Sequence, residues 1–182
     1  MIGFKKISPG GHWMNIAGIS ARKAGLTFEQ SVVVQTVLSV TMMDAFISAW
    51  EEKYRSNRIR PVTYINRYID VRWEPLLQTP PFPEYISAHS IVSTSAAELL
   101  TYFLGDSFSF VDDTEVHSGG VPRNFTSFRQ AANEACISRL YGGIHFRDAI
   151  VNGQISGKQV GEMAIRKINT AGLRPFTAGK DN

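Results

Sequence analysis

Three short segments carry residue types and spacings that could act together on a small anion. The first, Lys53-Tyr-Arg-Ser-Asn-Arg-Ile-Arg60-Pro61, offers a lysine, then six residues, then Arg-Pro. A flexible ammonium and a forked guanidinium from one segment suit a tetrahedral or trigonal-bipyramidal oxyanion. Taken alone, this segment reads better as a solvated basic helix end that complements the helix dipole. The second is Pro83-Glu84-Tyr85-Ile86-Ser87-Ala88-His89-Ser90. A helix beginning just after Ser87 would leave free backbone N–H groups and a positive dipole end at an anion-binding rim. Ser87 adds a hydroxyl there and His89 a titratable ring, although Ser87 as a plain N-cap with His89 exposed is the simpler account. The third is Ser138-Arg139-Leu-Tyr-Gly-Gly-Ile-His145-Phe-Arg-Asp148. Its two glycines allow a turn that lets Arg139 and His145 face one point. Three cations, Lys53, Arg60 and Arg139, around one small volume would be costly unless an anion neutralised them.

The elements that must position these residues read as helices joined by loops, an all-α pattern with little sign of alternating strands. A first short helix is expected over residues 12–24. Thr27 is a candidate N-cap, with Gln30 completing a capping box, for a helix from Phe28 to about Lys53. Within it, the run SVVVQTVLSVTMMDAFISA approaches membrane-spanning length, but Gln35 and Asp44 interrupt it. Its apolar residues surround most of the helix circumference, so we expect a central helix buried on several sides and no transmembrane segment. Pro61 opens a helical stretch over 61–73. Four prolines make 75–87 an extended loop. A helix follows over 89–105, then an irregular stretch over 106–124. Helix returns over 126–143 and again over 144–171, where Gly153, Gly157 and Gly161 are expected to make it uneven. Residues 1–182 form one domain, which could also be the C-terminal part of a longer chain.

In order, spacing and residue type, the three segments resemble the signature shared by vanadium-dependent haloperoxidases and type-2 phosphatidic acid phosphatases. The resemblance runs from about SPGGHW to the glycines near residue 161, and RLYGGIHFR looks especially like bacterial haloperoxidases. Ala88 departs from the glycine of the signature, yet its backbone N–H survives. The resemblance implies an all-α bundle that could lack upstream helices, and two chemistries for one pocket. In a haloperoxidase, vanadate would be bound through a His145 ring nitrogen and held by Lys53, Arg60, Arg139, Ser87 and the Ala88 N–H. His89 would shuttle protons, Lys53 would polarise the oxidant, and the substrates would be hydrogen peroxide, a halide and small organic molecules. In a phosphatase, phosphate would take the place of vanadate, His145 would be the nucleophile for phosphate esters, and His89 would be the general acid–base. Trp50 and Phe82 resemble aromatic positions near the vanadate of haloperoxidases and tilt the reading that way, although ordinary core packing explains them about as well. Algal bromoperoxidases tend to have histidine where Phe82 stands, which leaves iodide and chloride oxidation open. Many phosphatases carry an aspartate four residues after the last histidine; Ala149 holds that place here, and Asp148, one earlier, is a weaker candidate for a relay to His145. A third reading is a non-catalytic, partner-dependent half domain, which uncovered apolar surface along the helix from Phe28 to Trp50 would favour.

Composition narrows the remaining classes. At 182 residues, 43% hydrophobic and 19% charged, the chain is long enough to bury a core and is neither disordered nor fibrous. The net charge of +3 comes from scattered basic residues, which does not support nucleic-acid binding. Cys136 is the only cysteine, so no internal disulfide forms; it reads as a small core filler. The start MIGFKKISPGGHW lacks the apolar stretch of a secretory signal. His12 reads as a loop or N-cap residue and His117 as a surface residue. Homo-oligomerisation and location stay open.

Overall fold

Ser8 and Thr27 set where the first two helices begin. In a computed structural model that describes residues 7–176, Ser8 Oγ accepts a hydrogen bond from Gly11 N at 3.2 Å. Pro9 takes the first helical position, where a missing N–H costs nothing. Helix α1 therefore runs Pro9–Ala24, starting before the expected residue 12. His12 is thus a helical residue and not a loop or cap position. Residues 1–6, the first half of the stretch without a secretory signal, lie outside the described residues. Thr27 and Gln30 form the anticipated capping box, with N···O distances of 2.9 and 3.2 Å. Helix α2, Phe28–Ser56, is one turn longer than expected and ends on Asn57 in the left-handed region. Helix α3, Pro61–Tyr68, stops short of residue 73.

Helix α4, Ala88–Leu104, is the centre of the bundle. Thirteen of its 17 residues are buried, which requires partners all round it. Helices α1, α2, α5 (Phe128–Tyr141) and α6 (Arg147–Thr170) supply them. The irregular stretch holds two strands that the sequence did not suggest, β1 (Phe110–Asp112) and β2 (Arg123–Phe125), paired antiparallel with Phe110 opposite Phe125. Their rings stack toward Phe128 and close one end of the core. His12 clasps this hairpin to α1 through Asp112 at 2.6 Å, with Asn15 donating to Thr114 Oγ1 at 2.8 Å. His117 is exposed and Cys136 is buried, both as expected.

Two expectations about the long helices change. Gly153, Gly157 and Gly161 do not make α6 uneven. Spaced four apart, they form one stripe against α4. A Cβ on Gly157 would lie 2.5 Å from Ile91 O, and one on Gly153 would lie 2.7 Å from Ser90 Cβ. The stripe lets two helix backbones approach closely. Helix α2 is buried on one side only: Val34, Leu38, Ala45, Ala49 and Lys53 turn inward, while Val40, Met43 and Ile47 are 57–61% exposed. The stretch within Phe28–Tyr68 is long and apolar enough by composition to span a bilayer, yet the inner face of α2 packs on α4.

Candidate active site

The ends of five helices carry the signature residues. Lys53 leaves the last turn of α2, Arg60 caps α3, Ser87 caps α4, Arg139 sits in the last turn of α5, and His145 occupies the turn before α6. Gly143, with φ +72°, makes that turn, and its missing Cβ leaves room for Trp73, whose ring would lie 3.0 Å from one. Arg139 and His145 are thereby carried on either side of one tight reversal.

Lys53 is fully buried. Its Nζ donates to Pro83 O at 2.9 Å and to Glu84 O at 3.0 Å. Arg60 reaches the same carbonyl of Pro83 through Nη2 at 3.4 Å, donates from Nε to Phe82 O at 3.0 Å, and donates from Nη1 to Ile144 O at 2.8 Å. The Phe82 ring lies between the two cations, 5.3 Å from Lys53 Nζ and 5.1 Å from the Arg60 Cζ, and tilts against Trp50 at 5.2 Å. Phe82 therefore walls the cations, and Trp50 backs it. Arg139 brings the third positive charge, and its buried Nε has no hydrogen-bond partner. A buried guanidinium N–H without an acceptor is unusual, because leaving it unpaired costs the full desolvation of that group.

The electrostatics record the crowding. Burial, reinforced by Arg60 and Arg58 against the opposing Glu84, lowers Lys53 from 10.5 to about 7. Burial lowers Arg60 to about 10 despite Glu84. Burial and the neighbouring Arg60 lower Arg139 to about 10. His145, 5% exposed, falls to about 4, since burial together with Arg60 and Lys53 outweighs Glu84. The imidazole is thus neutral at ordinary pH, with Nε2 facing Arg60 Nη1 at 3.2 Å.

Ser87 is buried at the N-terminus of α4, where its Oγ accepts from Ser90 Oγ at 2.9 Å; Ala88 is the first helical residue. His89 follows in the first turn, half-buried. It lines a cavity of about 530 Å³ with Trp13, Ser93, Phe125 and Tyr141. Asp148 is not brought to His145. Its carboxylate takes Arg58 in a two-pronged pair at 2.6 and 3.0 Å. The residue missed in the sequence is Glu84. Its fully buried carboxylate accepts from His145 Nδ1 at 2.7 Å, Phe146 N at 3.0 Å and Arg58 Nε at 2.7 Å. Burial opposes its ionisation, but those hydrogen bonds hold it below the usual carboxylate range. A lone acid in a proline-rich loop three residues before Ser87 was the available signal.

Residues 33–171 match a family described as the VCPO second helical-bundle domain. The chain belongs to the vanadium haloperoxidase superfamily. A solved structure of a bacterial vanadium-dependent iodoperoxidase is 57% identical, with a TM-score of 0.88 over 90% of this chain and 40% of its own. Holo- and apo-type bacterial vanadium-dependent chloroperoxidases, at 18% and 16% identity, share the fold with TM-scores of 0.75 and 0.71, over 89% and 88% of this chain and 41% and 44% of their own. No curated protein matches the chain. The chain thus spans about two-fifths of the length of the solved haloperoxidases it matches. Its all-α bundle, with only two short strands among the described residues, is the helical-bundle domain of that superfamily.

Proposed function

We propose that this chain supplies the vanadate-binding centre of a vanadium-dependent haloperoxidase that oxidises a halide, iodide foremost, with hydrogen peroxide. The observation that carries the reading is the gathering of Lys53, Arg60 and Arg139 near His145, whose Nε2 meets Arg60 Nη1 at 3.2 Å, with Arg139 Nε buried and unpaired. An oxyanion fits that donor set. It would give the orphaned N–H an acceptor and relieve the mutual repulsion of the cations. His145 Nε2 would bind the metal. Lys53, Arg60, Arg139, the Ser87 hydroxyl and the Ala88 N–H would hold its oxygens. Vanadate, when bound, supplies a Lewis acid that activates hydrogen peroxide without changing its own oxidation state.

The residues of the chain account for the remaining steps. The overall change, halide plus hydrogen peroxide plus a proton giving hypohalous acid and water, consumes one proton. His89, in the first turn after Ser87, lines a cavity that Lys53, Arg60, Arg139 and His145 do not line; from there its imidazole would take a proton from incoming hydrogen peroxide and return it to the departing oxygen. Lys53, whose Nζ lies 5.3 Å from the Phe82 ring, would offer positive charge to a bound oxygen. The Phe82 ring, with Trp50 packed against it, would shield that side from water. The iodoperoxidase at 57% identity supports iodide as the first halide to test.

A second reading, that the chain works only with a further domain, is favoured by one observation. The outer stripe of α2 leaves Val32, Val40, Met43, Ile47 and Tyr54 at 46–62% exposure, and among the described residues α3 packs against no other helix or strand. These two elements carry Lys53 and Arg60. Contiguous uncovered apolar surface of this kind marks an interaction site.

The test is to load the purified chain with orthovanadate, remove the excess and measure peroxide-dependent oxidation of iodide, bromide and chloride. Hydrolysis of p-nitrophenyl phosphate is followed in parallel, with His145→Ala as control. Vanadate-dependent iodide oxidation lost in the control supports the reading. Phosphate hydrolysis inhibited by vanadate, with no halide turnover, replaces it with a phosphatase.

A further inference from the structure

His145 offers two ring nitrogens, and only one can face the cations with a lone pair. Which one it is depends on the other nitrogen's partner, and here both partners are chemically unambiguous. Nδ1 lies 2.7 Å from Glu84 Oε1, an ionised carboxylate oxygen that can only accept. Nε2 lies 3.2 Å from Arg60 Nη1, a guanidinium nitrogen that can only donate. An acceptor at Nδ1 and a donor at Nε2 are compatible with one neutral form alone, the Nδ1–H tautomer.

We propose that Glu84 is the positioning residue of this site: its carboxylate holds the Nδ1–H of His145 and so directs the Nε2 lone pair into the cation pocket. The proposal deepens the oxyanion-site reading and rests on it for its consequence, but the tautomer itself can be tested independently. Glu84 is well placed for the task because it is itself fixed from every side. Phe146 N donates to the same Oε1 at 3.0 Å, which locks the carboxylate to the backbone directly after His145. Arg58 grips Oε2 from Nε at 2.7 Å and Nη2 at 2.5 Å, and its outer edge is held by Asp148. The Glu84 backbone N–H donates to Arg58 O at 2.9 Å, and its carbonyl accepts from Lys53 at 3.0 Å. One residue thus orders a cation through its main chain and the histidine through its side chain. Asp148, the acid whose spacing first suggested this task, acts one step removed by holding Arg58.

A carboxylate that served only to neutralise Arg58 would leave the histidine tautomer indifferent to its replacement, and that difference is measurable. Glu84→Gln keeps shape and gives up one acceptor. Arg58, which holds Oε2 through two guanidinium nitrogens, claims the amide oxygen against the single Phe146 N–H on the other side, and the amide NH2 turns toward Nδ1. The ring then carries its proton on Nε2. Nitrogen-15 NMR of ring-labelled histidine, assigned with His145→Ala, should show Nδ1–H in the wild-type chain and a shift toward Nε2–H in Glu84→Gln. Vanadate affinity should fall by roughly 10- to 100-fold, as for other partners that orient a metal-bound histidine. Sulfate, which needs the cations but forms no bond to Nε2, should bind at least as tightly, since a negative charge has left its surroundings. A wild-type ring protonated on Nε2 overturns the proposal even if the variant fails to fold. So does an unchanged tautomer in a folded Glu84→Gln, or a parallel loss of both anions. If the tautomer behaves as stated while neither protein binds vanadate, the oxyanion-site reading falls and the positioning role stands.

Discussion

Gly157→Ala offers a sharp test of how α4 is held. Helix propensity alone predicts that replacing a mid-helix glycine stabilises the chain by about 1 kcal/mol. The structure predicts the opposite. A Cβ at residue 157 would lie 2.5 Å from Ile91 O, 2.9 Å from Thr94 Cβ and 3.0 Å from Ile91 Cα. These neighbours are backbone or the root of a β-branched side chain, so none can swing aside. To restore ordinary contact, α6 must retreat by about 1 Å from the helix that carries Ser87, Ala88 and His89. Overpacking of this kind costs about 1–3 kcal/mol and occasionally more, and three simultaneous contacts place it at the upper end. After the propensity gain, the net loss should be about 2 kcal/mol, or roughly 4–8 °C in Tm for a domain of this size. Gly161→Ala should cost less, because its nearest backbone neighbour is Ser95 O at 3.2 Å. Gly153→Ala presses on Ser87 O at 2.9 Å and should also weaken anion binding. Urea unfolding followed by tryptophan fluorescence measures all three. A Gly157→Ala variant as stable as wild type, or more so, would refute the close-packed stripe.

Further outcomes follow from the site. Lys53 has a pKa of about 7 without an anion, and a bound anion should raise it. Sulfate binding at pH 8 should therefore take up close to one proton and at pH 6 almost none, as read by calorimetry in buffers of different ionisation enthalpy. Equal proton uptake at both pH values would contradict this. His145 titrates near 4 in the folded chain against 6.5 in its unfolded reference, so between those values the unfolded state binds the extra proton. Stability should fall by on the order of 3 kcal/mol as pH drops through that window, and His145→Gln should flatten the dependence in urea titrations. Met43→Glu together with Ile47→Glu should leave the Tm of the isolated chain nearly unchanged, because both residues are solvent-facing. The same pair should lower it when the chain replaces the matching region of the 57%-identical iodoperoxidase, if the second reading is correct.

The parts of the site that were legible in the sequence are those set by local chemistry. Lysine and arginine spacing, the Ser87 N-cap and the Gly-Gly turn each act within a few residues, and so do the capping box at Thr27 and the buried Cys136. What escaped reading depends on contacts across the chain. Glu84 is one acid in a proline-rich loop, and its role exists only because the loop folds onto His145, 61 positions away. Asp148 lies three residues after His145, in the first turn of α6, but is drawn off by Arg58, which no helical spacing foretells. The three glycines of α6 look like helix-weakening residues until α4 is placed against them. Strands of three residues are too short to show alternation, so the Phe110–Phe125 pairing was invisible. The apolar residues of α2 could not reveal which of its faces the bundle covers.

The central claim is that Lys53, Arg60, Arg139 and His145 form one site for vanadate, and equilibrium binding tests it most directly. Titration of the chain with orthovanadate, followed by vanadium-51 NMR and ultrafiltration, should give one bound vanadium per chain. Binding should be abolished in His145→Ala and weakened at least tenfold in Arg139→Ala, with both variants folded by circular dichroism. Binding that survives His145→Ala unchanged, or a wild-type chain that takes up no vanadate at millimolar concentration, would contradict the account.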